Sequence, residues 1–232
     1  VGARAAWDIS TGSQEVVIAI IDSGLDLLHP EFEGRLVAPR DSLNADEDPT
    51  PDEHDAHGTG CAGLAAAAIN NGMGVAGLCP GCSVMPIRIM SEEGWGRFGA
   101  DVDAFYWAAD HGAQILSNSW GTAEPSAIPA SLADAIEHAA TMPREGAGSL
   151  ILFASGNEYR ENYDNELSSH PLVLGVGATD ERDLKEYYSN WGEQLDLTAP
   201  AGSVTTDMLG ELGYGPGDYY NHFGGTSAAT PV

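Results

Sequence analysis

One unbroken apolar run, Val16-Val17-Ile18-Ala19-Ile20-Ile21, constrains the fold of this chain more than any other stretch. Most of its residues are β-branched, and no polar position alternates with them. Such a run reads as a strand buried on both faces, the habit of a parallel sheet. It stops at Asp22-Ser23-Gly24. In open parallel sheets, functional groups collect where strands end in this way. The plainer reading of Asp22 is a turn residue or helix cap.

Further strands are expected at Val84–Met90, Ile115–Asn118, Leu150–Ala154 and Leu172–Val176. Helical segments alternate with them. An alanine-rich helix follows His57-Gly58-Thr59-Gly60, and others are expected from about Asp101 to His111 and from about Ser131 to Thr141. Gly112 stops the second of these. This alternation predicts an α/β protein with a mostly parallel central sheet and helices on both faces. With 232 residues, no internal repeat and no linker, residues 1–232 read as one domain. From Thr179 onward the sequence reads as loopier, with glycine-rich turns between Gly210 and Gly217.

Charge excludes several functions. There are 35 acidic residues against 9 Lys and Arg, a net charge of -26, and Lys185 is the only lysine. That surface repels nucleic acid and anionic membranes, so neither is an expected partner. Most of the acids read as a solvated face, suited to cations, cationic substrates or a salty medium. No apolar run approaches the roughly 20 residues that span a bilayer. Nor does the chain open with a signal peptide or an initiator Met, which reads as a processed chain. The three cysteines cannot form a four-thiolate zinc site. Cys79 and Cys82 read as a small disulfide and Cys61 as a buried free thiol.

The strand ends carry Asp22, Ser119-Trp120-Gly121 and Asn157, while His57 and Ser227 head helices. An imidazole can take a proton from a serine hydroxyl. A carboxylate can hold that imidazole in one tautomer, and an amide can donate to a developing oxyanion. Four segments occur in order: Ile21-Asp22-Ser23-Gly24, His57-Gly58-Thr59, Ser155-Gly156-Asn157 and Gly225-Thr226-Ser227-Ala228. Together they resemble the motifs of the subtilisin-like serine proteases, the subtilases of peptidase family S8. Each motif alone is weak, but the ordered set is specific, and the resemblance runs from about Trp7 to the last residue.

The resemblance implies a three-layer subtilisin-like fold and a serine endopeptidase working through an acyl-enzyme. It implies Ser227 as nucleophile, His57 as general base and then acid, Asp22 as its orienter, and Asn157 with the Ser227 N–H as oxyanion hole. Catalysis would need no cofactor. Ser119, Trp120, Gly121, Ala154, Ser155 and Gly156 would wall the pocket for the substrate's P1 side chain. Gly94, Trp95 and Gly96 would pair with an extended peptide. Kexin/furin-like details, including Cys61 in the histidine motif, place Glu124 and Asp164 where a basic P1 side chain is received.

Ile69-Asn70-Asn71-Gly72-Met73-Gly74-Val75 resembles the family's calcium loop. Its ligands would be the carbonyls of Ile69, Met73 and Val75, the Asn71 side chain and Glu31, although the segment also reads as a plain Asn-Gly turn. Asp164 would serve a second calcium instead of the pocket. The resemblance further implies secretion, a propeptide inhibitor and a cis His170–Pro171 bond. The family's nucleophile helix continues past Pro231. By that measure the C-terminal part of the fold is missing from this sequence, the five-residue helix would be unanchored, and a second chain would complete it. A catalytically inactive scaffold of the same family is the alternative reading. A nucleotide-binding protein is discounted, since no G-x-G-x-x-G follows the first strand.

Overall fold

The computed structural model describes every residue except Val1, Glu93, Gly96, Arg97 and Phe98. The strands are β1 (Val17–Asp22), β2 (Arg40–Asp41), β3 (Ser83–Arg88), β4 (Met90–Ser91), β5 (Gly94–Trp95), β6 (Ile115–Asn118), β7 (Leu150–Ala154), β8 (Leu174–Thr179), β9 (Leu197–Pro200), β10 (Ser203–Thr206) and β11 (Tyr219–Phe223). The helices are α1 (Ala3–Trp7), α2 (His57–Ala66), α3 (Ala100–Asp110), α4 (Ala130–Thr141), α5 (Pro143–Gly146) and α6 (Gly225–Ala229).

Seven strands form one sheet in the order β2-β3-β1-β6-β7-β8-β9, and every pair in it is parallel. Both faces of β1 are covered. Ala19 and Ile21 join the core under α3 and α4, with Phe105, Leu132 and Ile136. Ile18 and Ile20 join the opposite core, with Cys61, Leu64 and Ala228 from α2 and α6. This two-sided burial is why the strand sequence shows no alternation. The strand order also reverses at β1, which pairs with β3 on one side and β6 on the other. A crevice at the carboxyl ends of such strands is where an open α/β sheet places its site.

Three expectations need correction. The region after Thr179 is more regular than its sequence reads. It supplies β9 to the sheet and a β10–β11 antiparallel ribbon. Thr205 and Thr206 on β10 donate their hydroxyls to Gly60 O and Thr59 O, each at 2.6 Å, and so fasten the ribbon to α2. The His170–Pro171 bond is trans, as are all described peptide bonds. The five-residue α6 is also not loose. Thr226, Ala228 and Ala229 are buried, and the helix packs against β8, β9 and α2. Tertiary packing, not length, holds a helix this short. Cys79 and Cys82 form a disulfide, and Cys61 is free and buried, as the spacing suggested.

Candidate active site

Asp22 ends β1 and is fully buried. Its Oδ1 accepts from the Ser23 N–H at 2.8 Å and lies 2.7 Å from His57 Nδ1. Oδ2 is buried with no hydrogen-bond partner among the described residues. His57 opens α2, whose first turn lies against the end of β1. That approach depends on Gly58, where a Cβ would sit 2.1 Å from Gly24 O. Ser23 Oγ accepts from the Gly58 N–H at 3.2 Å, and Asp55 Oδ1 accepts from the His57 N–H at 3.3 Å.

Burial, the largest single influence, works against a charged His57, but the Asp22 carboxylate and then the Cys61 sulfur together outweigh it. The imidazole is held well above its ordinary value of 6.5. Burial is the main cause that pushes the Asp55 carboxyl up. It likewise raises the Cys61 thiol, which lies 4.0 Å from His57 Nδ1 and donates to Ser227 O at 3.7 Å.

Ser227 projects from α6 and is locked reciprocally to Ser119. Its hydroxyl donates to Ser119 O at 3.1 Å, and Ser119 Oγ donates to Ser227 O at 3.0 Å. Among the described residues Ser227 Oγ makes no hydrogen bond to His57. The turn ahead of Ser227 is pinned by two side chains. Tyr188 OH accepts from the Gly225 N–H at 3.2 Å, and Asn157 Oδ1 accepts from the Thr226 N–H at 2.8 Å. Because a backbone donor fixes Oδ1, the Asn157 Nδ2 donor is left facing elsewhere. The Thr226 hydroxyl lies 3.1 Å from the same Oδ1 and accepts from the Gly156 N–H at 3.2 Å.

A cavity of about 400 Å³ opens beside Ser227. Ser119, Trp120 and Gly121 form one wall, and Ala154, Ser155, Gly156 and Asn157 form another. Trp120 Nε1 donates to Ile21 O at 2.9 Å, which ties the first wall to β1. Glu124 and Asp164 do not line this cavity, contrary to the expectation for them. Both are exposed, and Asp164 accepts from Gln194 Nε2. The charged residues that line it are Asp101, Glu158, Arg160 and Glu166. Gly94 and Trp95 form β5, which pairs with β4. Gly96 lies outside the described residues.

The Glu31 cluster is arranged for hydrogen bonds rather than for an ion. Glu31 is fully buried. One of its oxygens accepts from Asn71 Nδ2 at 2.7 Å, and the other accepts from the Val75 N–H at 3.2 Å and Tyr219 OH at 3.0 Å. Asn71 Oδ1 accepts from the Met73 N–H at 3.2 Å. A calcium shell needs several oxygens free to converge on one point. Here both side-chain ligands of the expected set, Glu31 and Asn71, accept from N–H and O–H donors, three of which come from Asn71, Met73 and Val75 of the loop itself. In this arrangement the set does not fit the ion.

Residues 13–232 match the model of the subtilase family, Peptidase_S8. The chain is 36% identical over 98% of its length to a calcium-dependent protease of Nostoc sp., and covers 38% of that protein. It is 34% identical over 97% of its length to thermitase of Thermoactinomyces vulgaris, and covers 74% of it. Among solved structures, a protease from Pseudoalteromonas arctica superposes with a TM-score of 0.82 at 26% identity, over 97% of this chain and 77% of that one. The chain is thus similar in sequence and in fold to proteases. The chain belongs to the subtilase family. It spans well under half the length of the Nostoc relative.

Sequence reasoning missed Thr226 as an anchor, Tyr188, Asp55 and the Arg160–Glu166 pair. Thr226 had a signal, since it stands beside the nucleophile in a quoted motif. The others sit in loops whose partners only the fold supplies.

Proposed function

We propose that this protein is a serine endopeptidase. The observation that carries the reading is the 2.7 Å contact between His57 Nδ1 and buried Asp22, facing the helix that bears Ser227. In the proposed cycle the Ser227 hydroxyl leaves Ser119 O and turns to His57 Nε2. His57 takes the proton as Ser227 Oγ bonds to the scissile carbonyl carbon, and the carbonyl oxygen becomes an oxyanion. Asn157 Nδ2 and the Ser227 N–H donate to that oxygen. His57 then gives the proton to the leaving amine as the C–N bond breaks, leaving an acyl-enzyme. Water, deprotonated by His57, releases the acid and restores Ser227. Asp22 keeps its proton-free state throughout and holds the imidazole with Nδ1–H toward itself.

The substrate is a peptide or protein whose P1 side chain enters the 400 Å³ cavity beside Ser227. Secretion fits the Cys79–Cys82 disulfide, which persists in oxidising compartments. No described helix is long and apolar enough to cross a membrane. A propeptide inhibitor and a structural calcium stay with the proposal on the strength of the family. The Nostoc relative's name speaks of calcium dependence. The Glu31 cluster as arranged does not supply that site.

An organofluorophosphonate tests the reading directly. It should label the wild type at Ser227 and leave Ser227→Ala unlabelled and inactive against peptides. The reciprocal Ser119–Ser227 bonds favour a second reading, a non-catalytic scaffold with a parked hydroxyl. Absence of labelling in a folded protein would establish that reading instead.

A further inference from the structure

The cavity beside Ser227 carries an ion pair that the family resemblance does not assign. Arg160 and Glu166 both line it. The Arg160 guanidinium lies 2.8 Å from one Glu166 oxygen and donates to the other at 3.1 Å. Glu166 is 7% exposed, and among the described residues its carboxylate has no other partner. A buried carboxylate on a cavity wall would attract a cation strongly, because little water screens it. A guanidinium already at contact distance cancels most of that field for a third charge several ångströms away. Glu158, the other acid that this loop gives to the lining, is exposed and accepts from Asn190 Nδ2 at 2.8 Å, so solvent weakens its pull. Asp101, the third acid of the lining, is only half-buried and accepts from the Val102 N–H at 2.8 Å, so solvent weakens its pull as well, and Ala127, Ile128, Pro129, Leu132 and Leu167 add an apolar stretch.

We propose that Arg160 is a specificity-determining residue: by occupying Glu166 it makes the cavity a receptor for uncharged P1 side chains, and its removal turns the same cavity into a receptor for Lys or Arg. This rests on the reading of the cavity as the P1 site. The Arg160 guanidinium gives the loop one bond of its own, to Glu161 O at 3.2 Å, and the loop's shape rests on several others. Asn190 Oδ1 accepts from the backbone N–H groups of Glu158 and Arg160, and Asn190 Nδ2 and Asn162 Nδ2 both donate to Ser155 O.

The test is kcat/KM, per fluorophosphonate-titrated active site, on peptides that differ only at P1 (Phe, Leu, Lys, Arg, Glu). Assays run at one alkaline pH, where the raised His57 imidazole is free of its proton. Wild type should cleave after Phe and Leu faster than after Lys and Arg. Arg160→Gln should raise the Lys-to-Phe ratio by roughly tenfold or more, the scale of one hydrogen bond to a charged group. Arg160→Lys should keep the wild-type ratio. The double variant Arg160→Gln/Glu166→Gln should return to it. Glu166→Gln alone should raise the Glu-to-Phe ratio, which keeps the proposal testable even if Arg160→Gln fails to fold. A wild type that favours Lys or Arg, or a Lys-to-Phe ratio that is unchanged in Arg160→Gln or rises equally in the double variant, overturns the proposal. A wild type that neither labels nor cleaves any of the peptides refutes the protease reading, and this proposal falls with it.

Discussion

Asn157 and Thr226 are joined twice through one atom. The Thr226 N–H reaches Asn157 Oδ1 at 2.8 Å, and the Thr226 hydroxyl lies 3.1 Å from it. The residue before the proposed nucleophile therefore aims the amide donor that would meet the oxyanion. Asn157→Ala should lower kcat by roughly 100- to 1000-fold with little change in KM, the cost of one such donor in the relative subtilisin. Thr226→Val keeps the shape and the backbone donor but removes the hydroxyl, so its loss should be smaller. Steady-state kinetics on one peptide separates the two. Equal losses would mean that Thr226 acts by another route.

Activity should climb late with rising pH. Below its pKa, His57 already holds the proton that it must take from Ser227. Against the pull of burial, Asp22 and then Cys61 hold that pKa well above 6.5. The acid limb of kcat/KM should therefore lie above the ordinary imidazole range. Asp22→Asn removes the attraction and leaves the desolvation, so the limb should move down while kcat falls by roughly 10⁴-fold. Stability has the matching sign. A raised folded-state pKa contributes fully below 6.5, and the contribution is lost as pH rises through the raised value. A thermal-shift series against pH should show Asp22→Asn losing more stability on the acid side than on the alkaline side.

Much of this fold was legible because burial on two faces writes itself into sequence. β1 and β7 are short apolar runs and β6 opens on Ile115-Leu116, and each fell within a residue or so of expectation. The β10–β11 ribbon was not legible. Ser203, Tyr219 and Tyr220 are only half-buried and Asn221 and His222 exposed, so the strands carry no apolar signature. Their pairing depends on Thr205 and Thr206 meeting α2, residues far away in sequence. The site divides in the same way. Asp22, His57, Asn157 and Ser227 stand in short motifs at element ends. Glu124 and Asp164 were two acids among 35, and nothing local distinguishes an acid facing a cavity from one facing water. Glu166 is told apart only by Arg160, its partner across a loop turn.

The Glu31 cluster should stabilise the protein without an added ion. Tyr219 OH donates to Glu31, and burial followed by that acid pushes the phenol up to about 12. Tyr219→Phe leaves the carboxylate one donor short and should cost about 1–2 kcal/mol. For a chain of this size that lowers Tm by roughly 2–8 °C. Glu31→Ala, which leaves Asn71 Nδ2, the Val75 N–H and Tyr219 OH without their acceptor, should cost more. Chelator should leave hydrogen exchange at the Val75 amide unchanged, whereas Glu31→Ala should speed it. Faster exchange at Val75 on chelation would show an ion holding this loop after all.

Gly58 tests whether the approach of α2 to β1 sets the Asp22–His57 contact. A Cβ there would lie 2.1 Å from Gly24 O and 3.1 Å from Asp22 Cβ. The first neighbour is backbone and cannot rotate away, so Gly58→Ala must push the helix start off the strand end. Overpacking of this kind costs about 1–3 kcal/mol. The chemistry should suffer more than the stability, because Asp22 and His57 ride on the two parts being separated. The expected result is a folded protein with slow fluorophosphonate labelling and an acid limb shifted toward the ordinary imidazole value. Gly72→Ala is the control. Its Cβ would meet nothing within 4 Å, though its φ of +79° is strained, so it should lose stability while labelling at the wild-type rate. If Gly58→Ala also labels at that rate, the contact is not set by the helix start.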